Sequence, residues 1–238
     1  MTVPTAQLSQ LHRADGSATY SSGGYTVIAA VNGPIEVQRR DELPEEAAIE
    51  VNVRPASGVG SPKERHLESI VLSTLRHIIL THNHPRTLIQ VTLQVISTPL
   101  DESLLPPSFA PPILPALLQA SVLSLLSASI PLSATLNAVT IAALSSGSLI
   151  LDPTPKQLTQ AASTHTLAFS SHGELIMEES EGSFDMATWH SVYDEAEKAC
   201  CKPDDSDMQE DRKQVDMQTF VERVIEANVE AERGWKND

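Results

Sequence analysis

Cysteine is almost missing from this 238-residue sequence, and the two present, Cys200 and Cys201, are neighbours. Adjacent thiols strongly disfavour a mutual disulfide and offer no spaced metal-binding pair, so they are expected as reduced thiols on a helix. Aromatic residues make up only 4% of the chain. A broad stacking platform for single-stranded nucleic acid is therefore excluded. The longest apolar run, residues 113–130, is interrupted by Pro115, Gln119 and several serines and falls short of the roughly 20 residues a membrane span requires. It reads as a buried helix, and no membrane partner is expected. The first ten residues lack the basic start and apolar stretch of a secretory signal, which points to a nuclear or cytoplasmic location.

Positive charge is also scarce. Against 31 acidic residues stand 16 Lys and Arg, a formal net charge of −15. Phosphate binding draws on Lys and Arg, so this total counts against a nucleic-acid partner. The distribution of the charge weakens that objection. From Glu174 onward 19 acidic and 7 basic residues give −12, which leaves only −3 for residues 1–173. The body is nearly balanced and the acid sits in the tail.

What is present is a hydrophobic fraction of 41%, enough for a sizeable core. Residues 25–31 read as a buried strand between Gly23-Gly24 and a turn at Asn32-Gly33-Pro34, with 35–38 as a possible returning partner. Residues 47–53 and 88–96 alternate with the period of half-buried strands. The clearest element is a helix opened by Ser61, Pro62 and Glu64, an N-cap serine, a first-turn proline and a capping-box glutamate. Its apolar stripe is Leu67, Ile70, Val71, Thr74, Leu75, Ile78 and Ile79, opposite a face with Arg65, Glu68 and Arg76. Strands are expected at 136–144, 149–151, 166–170 and 175–178, then a helix from Asp185 and a last amphipathic helix carrying Phe220, Val221, Val224, Ile225 and Val229. The interleaving predicts an α/β (α+β) chain. It divides into a polar lead (1–12), a main domain (13–201), an acidic insert (202–214) and a C-terminal helix of the same domain (215–238).

Several short motifs then fall in order: Asp15-Gly16-Ser17-Ala18, the Gly-flanked strand, Gly33-Pro34-Ile35-Glu36-Val37, the ERHLES run at 64–69, HPRTLIQVTLQV at 84–95, Ile130-Pro131 and LDPTPKQ at 151–157. Over roughly 13–177 this series resembles RNase PH-like proteins, and HPRT with LQV and LDPT with KQ look most like exosome component five, a ribosomal-RNA-processing type of the eukaryotic ring. The resemblance implies an RNase PH-like, ribosomal protein S5 domain 2-like fold with C-terminal helices. It implies a place among other RNase PH-like subunits in a hexameric ring through which RNA is threaded, with cap subunits and an associated nuclease, in nucleus, nucleolus and cytoplasm. Neighbours would join through sheet edges, sought here within 25–53 and 88–96.

Active relatives hold phosphate with a Thr-Arg pair and carry two aspartates six residues apart. A guanidinium suits phosphate because it binds in bidentate fashion, and the leaving oxygen needs an acid or a metal. Here Ser103 and Leu104 stand at the first pair, and Leu158 and Thr164 at the second. Asp152 is the only carboxylate from 136 to 173. No catalytic residue, cofactor or metal is expected, and the chain is read as a non-catalytic structural subunit. The alternatives are an active phosphate-dependent exoribonuclease and a stand-alone RNA-binding module.

Other features read plainly. His77, His82 and His84 have no zinc spacing, Asp15-Gly16 is first of all a turn former, and Asp101-Glu102 is solvated charge beside a proline-rich loop. Arg54, Lys63, Arg65, Arg76 and Arg86 are five of the nine basic residues of the body. Glu64 and Glu68 are their ordinary partners on one helix. In RNA-binding relatives the loop before this helix faces the RNA, which makes Lys63 and Arg65 the RNA-contact candidates.

Overall fold

The computed structural model describes residues 4–99, 112–144, 147–201 and 217–233. Alternation in the first half of the chain produces one five-stranded sheet of order β1-β2-β3-β5-β4. Its strands are β1 (Thr5–Leu8), β2 (Gly16–Ser22), β3 (Tyr25–Glu36), β4 (Ala48–Arg54) and β5 (Thr87–Ser97). β2 and β3 form a tight hairpin because Gly23 and Gly24 both take positive φ, 61° and 87°, as a two-residue turn of that hand demands. β4 runs parallel to β5, and α1 (Pro62–Ile78) makes the crossover. Its capping box forms as read from the sequence, and Leu67, Val71, Thr74, Leu75 and Ile78 are buried.

Three expectations need correction. The polar lead contains β1, which pairs with β2. Residues 32–34 do not turn the chain back. β3 runs on to Glu36 through a register irregularity between Asn32 and Ile35, and the Gly33 N–H donates to the Asp15 carboxylate at 2.8 Å. Segment 88–96 offers no sheet edge, since β5 lies between β3 and β4, and β3 lies between β2 and β5. Of the strands in 25–53 only β4 is at an edge, and there the Val53 N–H is already taken by Glu68 Oε1 at 2.9 Å.

A second sheet, ordered β7-β6-β8-β9, follows: β6 (Leu136–Leu144), β7 (Leu149–Leu151), β8 (Ala161–Ser170) and β9 (Leu175–Gly182). Between the sheets runs α2 (Leu114–Ser127), packed on β2 and β3 of the first and β6 of the second. Its buried polar side chains donate to nearby carbonyls, Ser121 Oγ to Leu117 O at 2.7 Å and Gln119 Nε2 to Leu136 O at 3.1 Å, while Gln119 Oε1 is buried without a partner among the described residues. The Asp15-Gly16-Ser17 run serves this packing. Gly16 opens β2 with no positive φ, so the expected turn is replaced by a close approach. A Cβ there would lie 2.3 Å from Ala128 N at the end of α2.

A short α3 (Pro155–Leu158) precedes β8, while α5 (Met217–Glu232) lies on β1 and α2. α4 (Met186–Cys200), capped by Asp185, covers the outer face of the second sheet. Under it sits a smaller core of Val139, Ile141, Leu167, Phe169, Val192 and Ala196. Cys200 and Cys201 at its end are free thiols, and burial pushes the Cys200 thiol up to about 12, which makes it unreactive.

Strand β9 is fastened to β8 by a chain of polar groups. His165 is fully buried, hydrogen-bonded through Nε2 to Ser163 Oγ at 2.9 Å and through Nδ1 to Ser180 Oγ at 2.8 Å. Ser180 donates to Glu178 Oε1, which also accepts from Trp189 Nε1 of α4 at 2.6 Å. The order serine, histidine, acid suggests a nucleophile, yet Ser163 is fully buried and no substrate reaches it.

Two outcomes follow from this packing. Gly16→Ala lowers stability by about 1–3 kcal/mol in urea unfolding, because the added methyl must displace backbone. Burial lowers the pKa of His165 against a smaller opposing effect of Glu178. The folded state therefore keeps it neutral, and the unfolded chain takes up its proton first. Stability then falls as pH drops below about 6.5 toward the depressed value. In thermal unfolding between about pH 7 and 5, His165→Asn flattens that decline, and an unchanged slope would refute it.

Candidate RNA interface and the seam beneath it

The first turn of α1 brings Lys63, Arg65 and His66 to the surface, next to the loop that joins β4 to the helix. The loop stands away from the body: Val59 is 94% exposed, and side chains at Gly58 or Gly60 would touch nothing. The carboxylates that could neutralise this turn are engaged elsewhere. Glu64 accepts from the Ser61 N–H at 2.6 Å and from the Ser61 hydroxyl. Burial would raise its pKa, but these bonds outweigh that and hold it below the usual carboxylate value. Glu68 is bound to the Val53 N–H.

The five clustered cations consequently separate into two groups. Arg76 pairs with Glu46 at 2.8 Å and Arg86 with Glu42 at 3.5 Å. Arg54, Lys63 and Arg65 have no ion pair among the described residues. Arg54, which ends β4, is a candidate that the helix-based reading passed over. Its signal was available: it sits at a strand end immediately before the same loop. Unpaired guanidinium and ammonium groups beside a protruding loop suit phosphate oxygens, which such contacts position without reading sequence.

Beneath this turn α1 meets the edge of the second sheet. His66 Nε2 lies 3.6 Å from Glu179 Oε1 of β9. Thr164 and Thr166 of β8 stand opposite Glu181 and Glu179. The positions read as lost aspartates are both inside the protein, Leu158 with 1% and Thr164 with 0% of its surface exposed. Neither carries a carboxylate. Ser103 and Leu104 lie outside the described residues, as do Asp101-Glu102 and the acidic insert 202–214. Asp152 takes φ 47° and donates its N–H to Thr140 O at 2.9 Å. Burial raises the pKa of its carboxyl more than a backbone hydrogen bond from Thr140 lowers it.

The histidines do not gather. His82 Nδ1 is 3.4 Å from Glu45 O, while His77 lines a groove of about 350 Å³ with Ser133, His172 and Glu174. Among the described residues no group of three or more His, Cys, Asp or Glu is placed to hold a metal ion. No helix among them is long and apolar enough to cross a membrane.

Comparison with known proteins agrees with this architecture. The 3′ exoribonuclease family, RNase PH type, matches through its domain 1 at residues 4–131 and its domain 2 at residues 137–199, dividing where the first sheet and α2 give way to the second sheet. The exosome complex component RRP46 of Saccharomyces cerevisiae is 32% identical over 94% of this chain and 96% of its own length. An exosome complex exonuclease RRP46 homolog of Oryza sativa subsp. japonica is 36% identical over 67% of this chain and 62% of its own. The crystal structure of rice Rrp46 superposes with a TM-score of 0.71 at 29% identity, covering 82% of this chain and 87% of that one. A chain of the Archaeoglobus fulgidus exosome with RNA bound to the active site shares the fold, with a TM-score of 0.65 at 15% identity over 82% and 84%. These relatives carry the name Rrp46, which replaces the component-five designation read from the motifs. Two family domains in order, a relative matched from end to end and the same two-sheet architecture place this chain in the RNase PH-like 3′ exoribonuclease family.

Proposed function

We propose that this chain is a structural subunit of an RNA exosome core ring, of the Rrp46 type, that helps to form the RNA-threading channel without a phosphorolytic site of its own. The observation that carries the reading is the end-to-end relationship to a yeast exosome component. Support for catalytic silence comes from the chemistry. Leu158 and Thr164 can supply neither a proton nor a metal ligand as a carboxylate does, and Leu104 cannot hold phosphate as arginine does. The partners are other RNase PH-like subunits, cap subunits and an associated nuclease. The location is the nucleus, including the nucleolus, and the cytoplasm. RNA passes the turn formed by Lys63 and Arg65, with Arg54 beside it.

One observation favours a second reading, an active phosphate-dependent 3′–5′ exoribonuclease. The rice and Arabidopsis thaliana relatives are named as exonucleases. A stand-alone RNA-binding module fits less well, since the body carries few cations and the chain few aromatics.

Purified protein incubated with single-stranded RNA, phosphate and magnesium will release no nucleoside diphosphates. Release that stops on mutating a residue of this chain would establish the second reading instead. Within an assembled ring, Lys63→Ala with Arg65→Ala weakens RNA binding and flattens its salt dependence by up to about two phosphate contacts, each worth a slope of about 0.9. An unchanged affinity and salt slope would remove this turn from the RNA path.

A further inference from the structure

The loop between β1 and β2 carries side chains that the fold does not use. Its backbone is braced on β2, where the Ser9 N–H donates to Ser17 O at 2.8 Å and the Leu11 N–H to Ser17 Oγ at 3.0 Å. Asp15, the carboxylate nearest to Arg13 in sequence, accepts from the Gly33 N–H instead of pairing with the guanidinium. Arg13 has no ion pair among the described residues. The result is an open groove of about 530 Å³ lined by Gln10, Leu11, His12, Arg13, Ala14 and Asn32. Gln10 is engaged with Gln7 and Thr19, whereas the Asn32 side-chain amide makes no hydrogen bond among the described residues. His12 and Arg13 are exposed, and Leu11 keeps 41% of its surface in solvent.

We propose that this groove holds one unpaired ribonucleotide of an RNA strand, with its phosphate on Arg13, its base against His12 and Leu11, and its base edge at Asn32. The proposal rests on the reading of the chain as an RNA-facing ring subunit and adds a contact which that reading does not contain. Single-stranded RNA is held through splayed bases, which stack on rings such as histidine or on guanidinium planes and are hydrogen-bonded at their edges. The groove brings these partners together in a chain with few aromatics. A guanidinium presents phosphate with a planar fork of donors, and an amide offers a base edge both a donor and an acceptor. Phosphate alone would leave Leu11 and the Asn32 amide without a role, and an apolar ligand would do the same to Arg13. The site is separate from the turn of Lys63 and Arg65. Asn32 is level with Gln90 of β5, while Arg54 beside that turn is level with Gln94, so the two lie about 13 Å apart along the strands. Asn32 reaches the loop only because β2 pairs with β3, Gly16 opposite Val31.

The test is binding of short labelled oligouridylate and oligoadenylate to the assembled ring. Arg13→Ala should weaken both and flatten the salt dependence by about 0.7, the slope of one single-strand phosphate. His12→Ala, which removes a stacking surface, should weaken binding by about 5-fold or more. Asn32→Ala should keep the wild-type salt slope and change the ratio of the two affinities, because base contacts carry sequence and phosphate contacts do not. Thermal unfolding midpoints equal to that of wild type show that the three variants fold. In RNA carrying 4-thiouridine, light should crosslink the base to the peptide containing residues 10–14. The Lys63→Ala, Arg65→Ala ring separates this proposal from the reading beneath it. If that ring loses affinity while the three groove variants keep both affinity and salt slope, the groove is no nucleotide site and the ring reading stands. If RNA binding ignores all of these substitutions, the ring reading falls and the proposal with it. Uridine monophosphate that binds the full-length chain more tightly than oligouridylate, and is lost in Arg13→Ala, would assign the groove to a free nucleotide and overturn the strand.

Discussion

The structure depends on burying α2 from nearly every side. A helix apolar on nearly every face cannot rest on one sheet with its back to water, so two sheets close around it, and its buried serines and glutamine donate to carbonyls within reach. That requirement accounts for Gly16, the one residue that lets β2 reach the end of the helix. It also accounts for the place of the second sheet, whose inner face brings Leu136 and Ala168 into the main core while its outer face needs α4.

Because the second sheet has an apolar layer on each side, its polar residues collect where those layers end. On the α4 side this produces the chain from Ser163 through His165 and Ser180 to Glu178. On the α1 side it produces the threonines of β8 and the glutamates of β9. The same alternation sends neighbouring residues to different tasks: Thr164 and His165 are adjacent in sequence and face opposite layers.

Charge on α1 is organised by hydrogen bonds more than by counting. Two carboxylates in its first turns would be expected to neutralise Lys63 and Arg65. One closes the helix cap and the other caps the edge of β4. The cations that remain unpaired lie beside the protruding loop, whereas Arg76 and Arg86 are drawn to Glu46 and Glu42. A chain of strongly negative total charge can in this way keep a small positive surface where phosphate would approach.

The sequence alone determined those elements whose signals are local. The capping box and apolar stripe of α1, the alternation in β4 and β5, the apolar α2 and the helix start at Asp185 all follow from neighbouring residues, and so does the absence of carboxylates at Leu158 and Thr164. Only the tertiary structure decided which strands are edges, that 32–34 continues a strand, that β1 belongs to the sheet, and that Glu68 serves Val53 rather than a nearby arginine. It alone placed Glu181 against Thr164 and separated Arg54, Lys63 and Arg65 from the paired arginines. The reason is physical: propensity and periodicity act over a few residues, whereas edge exposure and ion pairing are set by groups brought together from distant parts of the chain.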